Sequence, residues 1–284
     1  MSQILDGKVV SAQVRTEVRE KVANYRERTG KQPGLTVILV GDDPASAIYV
    51  ASKERACHEV GISSRTVRLA STATTEDVVR AVMTANQDPT VHGILVQMPL
   101  PSGVNGQQVL EALDPAKDVD GLTTHSQGLL AKGSPGLYPC TPFGVLRLLD
   151  YYEIPIRGKR ALIIGRSVLV GRPMGLLLLG RDATVTFAHS QTRDLPQLIN
   201  DAEILVAALG RPKMIQGDWI RPGTVVVDVG INRQGKKVVG DVDFQEAQEK
   251  AAWITPVPGG VGLMTVSMLL ENTWQAFFSR EGAQ

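Results

Sequence analysis

Four sites in this 284-residue chain have residue types or spacings suited to chemistry. Tyr49 and Lys53 stand four residues apart in a segment that reads as a helix, so phenol and ammonium share one face, about 5–6 Å apart at Cβ. Such a pair suits proton transfer if burial lowers the lysine pKa, or a surface cation over an aromatic ring. Gln97 interrupts an otherwise apolar run. A buried amide must find partners, so it is either a structural bridge or a substrate ligand. In Lys117-Asp-Val-Asp-Gly121, Asp118 and Asp120 alternate around Val119. Two carboxylates at this spacing could hold a cation, but the segment lacks the further oxygen ligands of a calcium loop. A carboxylate can instead accept two parallel N–H donors from an aminopyrimidine edge, as it does from arginine.

The fourth is Ala161-Leu-Ile-Ile-Gly-Arg-Ser-Val-Leu-Val-Gly-Arg-Pro173. Four apolar residues read as a buried strand that runs into Gly165, and a helix is expected after Pro173. Strand, glycine turn and helix start together make a phosphate cradle, because unpaired N–H groups and the helix dipole attract a pyrophosphate. The spacing is not G-x-G-x-x-G. Ser167 replaces the second glycine and Gly171 falls one position late, so an ordinary strand-to-helix turn is the alternative. The next expected strand, 184–188, ends in His189 and Ser190 where an NAD site usually carries Asp or Glu on the ribose. With no acid there, and with the planar, permanently charged donors of Arg166 in the cradle, the sequence favours NADP. Asp182 and Asp194 read as solvated turn residues.

The elements that must position these groups follow from hydrophobic pattern. A long amphipathic helix is expected over about 7–30, strands at 35–40, 64–69 and 92–101, and helices at 45–60 and 76–86. Strands alternating with helices imply βαβ units and a parallel sheet. Tyr138-Pro-Cys-Thr-Pro-Phe-Gly144 and the helical run 145–152 mark a crossing between domains. Strands at 204–208 and 224–230 extend the second sheet, with Ile231 and Asn232 near the expected nicotinamide end. Residues 254–262 are too rich in Pro and Gly for regular structure, and a closing helix over 264–278 could return to the first domain. The expected fold class is α/β, with two α/β domains around a cleft, the second a Rossmann-like parallel sheet. The first domain takes 1–140, completed by a C-terminal helix at 264–284, and the second takes 141–263.

A net charge of +1 gives no support for nucleic acid or an acidic membrane as partner. No apolar run approaches the ~20 residues of a membrane span, and the N-terminus lacks a basic stretch followed by an apolar core. Two cysteines make no disulfide framework, and neither they nor the four scattered histidines have metal-ligand spacing. A soluble cytoplasmic enzyme with no metal is the expectation.

Tyr49-Val-Ala-Ser-Lys53, Gly93-Ile-Leu-Val-Gln-Met-Pro-Leu-Pro101, Lys117-Asp-Val-Asp-Gly121, Pro139-Cys-Thr-Pro142, Gly165-Arg-Ser-Val-Leu-Val-Gly-Arg-Pro173, Asp228-Val-Gly-Ile-Asn232 and Pro256-Val-Pro-Gly-Gly-Val-Gly262 occur in that order. Together they resemble the bifunctional methylenetetrahydrofolate dehydrogenase/methenyltetrahydrofolate cyclohydrolase family. The resemblance spans nearly the whole chain. It implies hydride transfer from 5,10-methylenetetrahydrofolate to NADP⁺ and then hydrolysis of the methenyl cation to 10-formyltetrahydrofolate. It implies that Lys53 transfers the proton in hydrolysis, Gln97 hydrogen-bonds Lys53, Tyr49 meets the folate rings and Asp120 anchors the pterin. Gly165, Arg166 and Ser167 would bind NADP, with Ser190 facing the 2′-phosphate and Ile231 near the nicotinamide. Pro258, Gly259 and Gly260 would form the substrate-side loop, and the assembly would be a homodimer.

Leu263 departs from the pattern, since the family usually continues Gly-Gly-Val-Gly with proline. Proline would fix φ and remove a donor, so loop rigidity and folate affinity are where this chain should differ. A short-chain dehydrogenase also uses Tyr-x-x-x-Lys, but there the pair follows the cofactor turn. A monofunctional dehydrogenase of the same fold would lack Lys53. An NADP-responsive regulatory protein would have no need of Lys53, Gln97 and Asp120 together.

Overall fold

The structure, a computed structural model, describes residues 2–235 and 237–281. Its elements in chain order are β1 (Gln3–Ile4), α1 (Gly7–Thr29), β2 (Gly34–Val40), α2 (Pro44–Val60), β3 (Ser63–Leu69), α3 (Thr75–Gln87), β4 (Gly93–Val96), α4 (Gly106–Glu111), α5 (Thr124–Ala131) and α6 (Cys140–Tyr151). Then come β5 (Arg160–Ile164), α7 (Gly171–Leu179), β6 (Thr184–Ala188), α8 (Leu195–Asp201), β7 (Ile204–Ala207), β8 (Val225–Asp228), β9 (Asn232–Gln234), β10 (Lys237–Val239), α9 (Phe244–Ala247), β11 (Trp253–Ile254) and α10 (Val261–Glu281). The chain divides into two compact units, Gln13–Cys140 with Val266–Gln284, and Met1–Ala12 with Thr141–Thr265. We call them the Lys53 unit and the Gly165 unit. Residues 1, 236 and 282–284, the last of these within the expected C-terminal helical segment, lie outside the described residues.

The Lys53 unit holds a three-stranded parallel sheet in the order β3-β2-β4. All seven residues of β2 are buried, as a central parallel strand covered on both faces requires. β3, on the edge, alternates in exposure. Ile38, Val40, Ile94 and Val96 pack with Val78 and Val82 of α3 and with Val109 of α4 into one core. The strand expected over 92–101 is shorter. β4 ends at Val96, and Gln97 is the first residue past it, although its N–H still donates to Ile38 O at 2.9 Å. Pro99 and Pro101 carry no N–H to continue a ladder. α2 is cut cleanly at both ends. Asp43 Oδ2 accepts from Ser46 N at 2.8 Å, Pro44 sits in the first turn, and Gly61 closes the helix at φ 81°.

The Gly165 unit holds six parallel strands in the order β1-β11-β8-β7-β5-β6. The first residues of the chain belong here rather than with the Lys53 unit, as the expected 1–140 domain had them. Gln3 and Ile4 pair with Trp253 and Ile254, and Gly7 meets Gly260 so closely that a Cβ would stand 2.0 Å from its carbonyl oxygen. β1 is too short for a periodicity argument to find. The segment 254–262 is also more regular than its composition suggests. Ile254 ends β11, and α10 already begins at Val261. Because β6 and β7 flank β5 on opposite sides, chain direction across the sheet reverses there, and the loops after β5 and β7 leave side by side. Such a reversal opens the crevice in which α/β sheets bind ligands.

Candidate active site and dinucleotide cradle

The Lys53 site begins with the caps that fix α2. Lys53 lies half-buried on that helix, and its Nζ donates to Gln97 Oε1 at 2.8 Å. Gln97 is 8% exposed, and its Nε2 donates to Met98 O at 2.6 Å. That second bond sets which way the amide faces, because only the oxygen can then turn to the lysine. Of the alternatives open for Lys53, the amine bonded to a buried amide replaces the surface cation over a ring. Tyr49, one turn earlier, is 48% exposed.

The Lys117–Gly121 motif holds two buried anchors, Lys117 and Asp118, just ahead of Asp120. Lys117 is fully buried, and its Nζ donates to Ala85 O, Asn86 O and Asp88 O at 3.1, 2.7 and 2.9 Å. It therefore closes the C-terminal end of α3, where orphan carbonyls and the dipole favour a cation. Asp118, also fully buried, accepts from Leu122 N, Thr123 N and Ser126 Oγ at 3.1, 2.8 and 2.7 Å, which fixes the entry to α5. With Asp118 so committed, the two carboxylates do not act as a cation pair. Among the described residues no group of three or more His, Cys, Asp or Glu side chains is placed to hold a metal ion.

Asp120 is left facing Lys53. Burial pulls the Lys53 ammonium below its ordinary value of 10.5, and the Asp120 charge only partly offsets this. Burial likewise pushes the Asp120 carboxyl up, against the pull of Lys53. Desolvation disfavours both charged forms, so each group is shifted towards its neutral form. The thiol of Cys140, which donates to Val119 O at 3.3 Å, lies beside the Asp120 carboxyl and is itself pushed well up by burial. Its place in the site was missed in the sequence. A lone cysteine between two prolines offered no signal for it.

In the Gly165 unit, Ile164 and Ala188 are register partners, and Gly165 N donates to Ala188 O at 2.9 Å. Arg166 and Ser190 thus leave the ends of neighbouring strands, and both are exposed. Gly165 has φ 126°, and a Cβ there would stand 2.3 Å from Ala208 O. A Cβ on Gly171 would be 2.3 Å from Gly165 O, which explains a glycine one position late. Ser167 Oγ accepts from Val170 N at 3.2 Å and Gly171 N at 3.4 Å, closing the start of α7, and this leaves its O–H as the donor that a phosphate oxygen would take. The cradle is glycine backbone with exposed Arg166, Ser167 and Ser190 at its rim, a fit for a dinucleotide phosphate.

Two acids hold this crevice, Asp241, which the sequence reading did not name, and Asp228, named there only as the start of a motif. Asp241, fully buried, accepts from Leu209 N, Gly210 N, Arg211 N and Asn232 Nδ2 at 2.6, 3.0, 2.9 and 2.8 Å. Asp228 accepts from Gly230 N, Asp241 N and Val242 N at 2.9, 3.0 and 2.9 Å, and burial pushes its carboxyl up to about 6. A lone acid ending the apolar run 225–227 was a usable signal for Asp228. Asp241→Asn is expected to cost about 2–4 kcal/mol in denaturant unfolding, because whichever way the amide turns, its NH₂ faces two N–H donors. An unchanged midpoint would refute this.

Ile231 is 52% exposed, and its Cδ1 would lie 3.3 Å from a Cβ on Gly262. Pro258, Gly259 and Gly260 fall in the Gly165 unit, on the loop that packs against Gly7. Leu263 N donates to Gly260 O at 3.3 Å, a bond that the family's usual proline could not make.

The catalytic-domain model of the tetrahydrofolate dehydrogenase/cyclohydrolase family matches residues 5–120, and its NAD(P)-binding-domain model matches 139–281. A bifunctional protein FolD of Sorangium cellulosum is 52% identical over 281 residues, 98% of each chain. The crystal structure of the bifunctional enzyme FolD from Campylobacter jejuni superposes with a TM-score of 0.97 at 45% identity, covering 99% of this chain and 100% of that one. The Trypanosoma brucei methylenetetrahydrofolate dehydrogenase-cyclohydrolase, complexed with NADP and inhibitor, gives 0.95 at 37% identity over 100% and 99%.

Proposed function

The chain belongs to the tetrahydrofolate dehydrogenase/cyclohydrolase family, and we propose that it oxidises 5,10-methylenetetrahydrofolate to the 5,10-methenyl cation and hydrolyses that cation to 10-formyltetrahydrofolate. NADP⁺, when bound, accepts the hydride in the first step. Gly165 would give the backbone its close approach to the phosphates, and exposed Arg166 and Ser190 would take the 2′-phosphate. Exposed Ile231 would lie against the nicotinamide.

In the hydrolysis, water adds to the methenyl carbon, and a proton must leave that water and reach the departing ring nitrogen. Lys53 carries it. Its neutral amine accepts from the attacking water, and the resulting ammonium returns a proton as the tetrahedral adduct collapses. A cationic substrate beside Lys53 lowers its proton affinity further. Gln97 accepts from Nζ in either protonation state and holds it in place. Asp120 accepts from the pterin's amino edge, exposed Tyr49 covers the folate rings, and the Pro258–Gly260 loop contributes substrate contacts. The observation carrying this reading is the Lys53 Nζ–Gln97 Oε1 bond at 2.8 Å beside Asp120.

The test is a spectrophotometric assay with methylenetetrahydrofolate that follows methenyl formation and decay, comparing NADP⁺ with NAD⁺. Formation with NADP⁺ followed by decay supports the reading, and formation without enzyme-dependent decay would remove the hydrolase half. A homodimer and a cytoplasmic location are further readings from the resemblance, checked by sedimentation and by cell fractionation. Among the described residues no helix is long and apolar enough to cross a membrane.

A further inference from the structure

Asn272 sits in the interior of α10 with no exposed surface, at a position where an amide favours neither helix nor packing. Its Nδ2 donates to Val119 O at 2.8 Å and to Tyr138 O at 2.9 Å, with Cys140 Sγ 3.7 Å away. Its Oδ1 is buried and has no hydrogen-bond partner among the described residues. An unpaired buried acceptor costs stability, so this side chain is kept for its two donors.

Those donors act where two backbones touch. Gly121 has φ 66°, and a Cβ on it would lie 2.6 Å from Pro139 N and from Tyr138 C. The segments 119–121 and 137–139 are thus pressed together at Gly121, next to the residue that carries the carboxylate. The carbonyl of Val119 belongs to the peptide unit whose N–H is that of Asp120. It accepts from both Asn272 Nδ2 and Cys140 Sγ, so the plane of that peptide is held from two sides.

We propose that Asn272 is a positioning residue for the folate reactions, clamping Val119 and Tyr138 so that the Asp120 carboxylate is presented to the pterin at a fixed place relative to Lys53. The proposal rests on Asp120 being the pterin anchor, and its test separates the two ideas. Asn272 touches no substrate. It acts through the Val119–Asp120 peptide, so its loss weakens what Asp120 does and leaves the dinucleotide cradle alone.

The experiment measures Asn272→Ala, Asn272→Ser and Asp120→Asn, and the double variant Asn272→Ala/Asp120→Asn, for both reactions. Asn272→Ala is expected to lower kcat/KM for methylenetetrahydrofolate by about 10–100-fold, the scale of a sub-ångström to 1 Å misplacement. The larger share falls on KM, and KM for NADP⁺ stays within about twofold. Serine, which keeps one donor, recovers part of the loss. Asp120→Asn lowers folate kcat/KM by itself and adds little in the Asn272→Ala background, since both variants remove one interaction. A lowered melting temperature with wild-type folate KM in Asn272→Ala, or in Asn272→Ser should alanine not fold, would make the clamp purely structural and overturn the proposal. Full additivity with Asp120→Asn would overturn it as well. Wild-type kinetics in Asp120→Asn alone would instead remove the anchor reading on which it rests.

Discussion

Lys53→Met abolishes hydrolysis of the methenyl compound: cyclohydrolase turnover is expected to fall by about 10²–10⁴-fold, the range a positioned proton-transfer group supplies. Methionine keeps length and apolar contact but carries no proton, so α2 should keep its course. The dehydrogenase assay should then show methenyl compound accumulating instead of passing on. Lys53→Arg should fail in the same way, because a guanidinium stays charged and cannot take the proton of water. The pH dependence follows from the direction of the lysine shift. Burial disfavours the ammonium, so Nζ becomes a base below its ordinary 10.5, and wild-type hydrolysis should rise with pH along a limb displaced below that value. The stability sign runs with it. Between the lowered value and 10.5 the folded chain binds fewer protons at Lys53 than the unfolded chain does, so stability from this group is reduced at neutral pH and recovers as pH rises towards 10.5. Methionine removes that penalty, while Gln97 Oε1 loses its donor at a cost of about 1–3 kcal/mol. A melting curve therefore distinguishes a dead site from an unfolded chain. Unchanged turnover in a folded variant would refute the assigned role.

What could be read from the sequence divides along a physical line. Long apolar runs and one-face periodicity gave β2, α2, β5 and β6 with ends within one residue of those observed, and for β2 and β5 burial on both faces leaves few alternatives to a continuous apolar strand. Short elements escaped. The two residues of β1 and of β11 have no period, and their pairing joins positions about 250 apart in the chain, which no local pattern encodes. The same contrast holds in the site. Lys53 and Tyr49 share a helix face, so four-residue spacing exposed them. Lys53 and Gln97 are 44 residues apart and meet only through sheet order. The motif Lys117–Gly121 read as two equivalent carboxylates. Tertiary structure made them unequal, giving Asp118 to the backbone of α5 and leaving Asp120 to Lys53. Asn272 and Cys140 were illegible for the same reason, since their importance lies in which carbonyls they meet.

Arg166→Ala should weaken NADP⁺ far more than NAD⁺. The two cofactors differ only by the 2′-phosphate, so any group that reads it contributes to one KM and not to the other. A charge-assisted bond to phosphate contributes about 1.5–3 kcal/mol, a factor of about 10–150 in affinity. Arg166 is exposed, and solvent screening places the expected loss towards the lower end of that range. Screening also gives an independent handle. KM for NADP⁺ in the wild type should rise with ionic strength, and this slope should flatten in Arg166→Ala, whereas KM for NAD⁺ should respond little in either protein. Ser190 leaves the adjacent strand end, so Ser190→Asp should act in the same direction for a different reason. A carboxylate there repels the 2′-phosphate and can accept from a ribose hydroxyl, which raises KM for NADP⁺ and lowers it for NAD⁺. The two substitutions together should bring the preference close to parity or invert it. Equal losses for both cofactors in Arg166→Ala would mean that the arginine supports the turn instead of reading the phosphate. The preference for NADP⁺ would then have to come from Ser190 and the backbone of the 189–192 turn, where Thr192 Oγ1 accepts from His189 N at 2.8 Å.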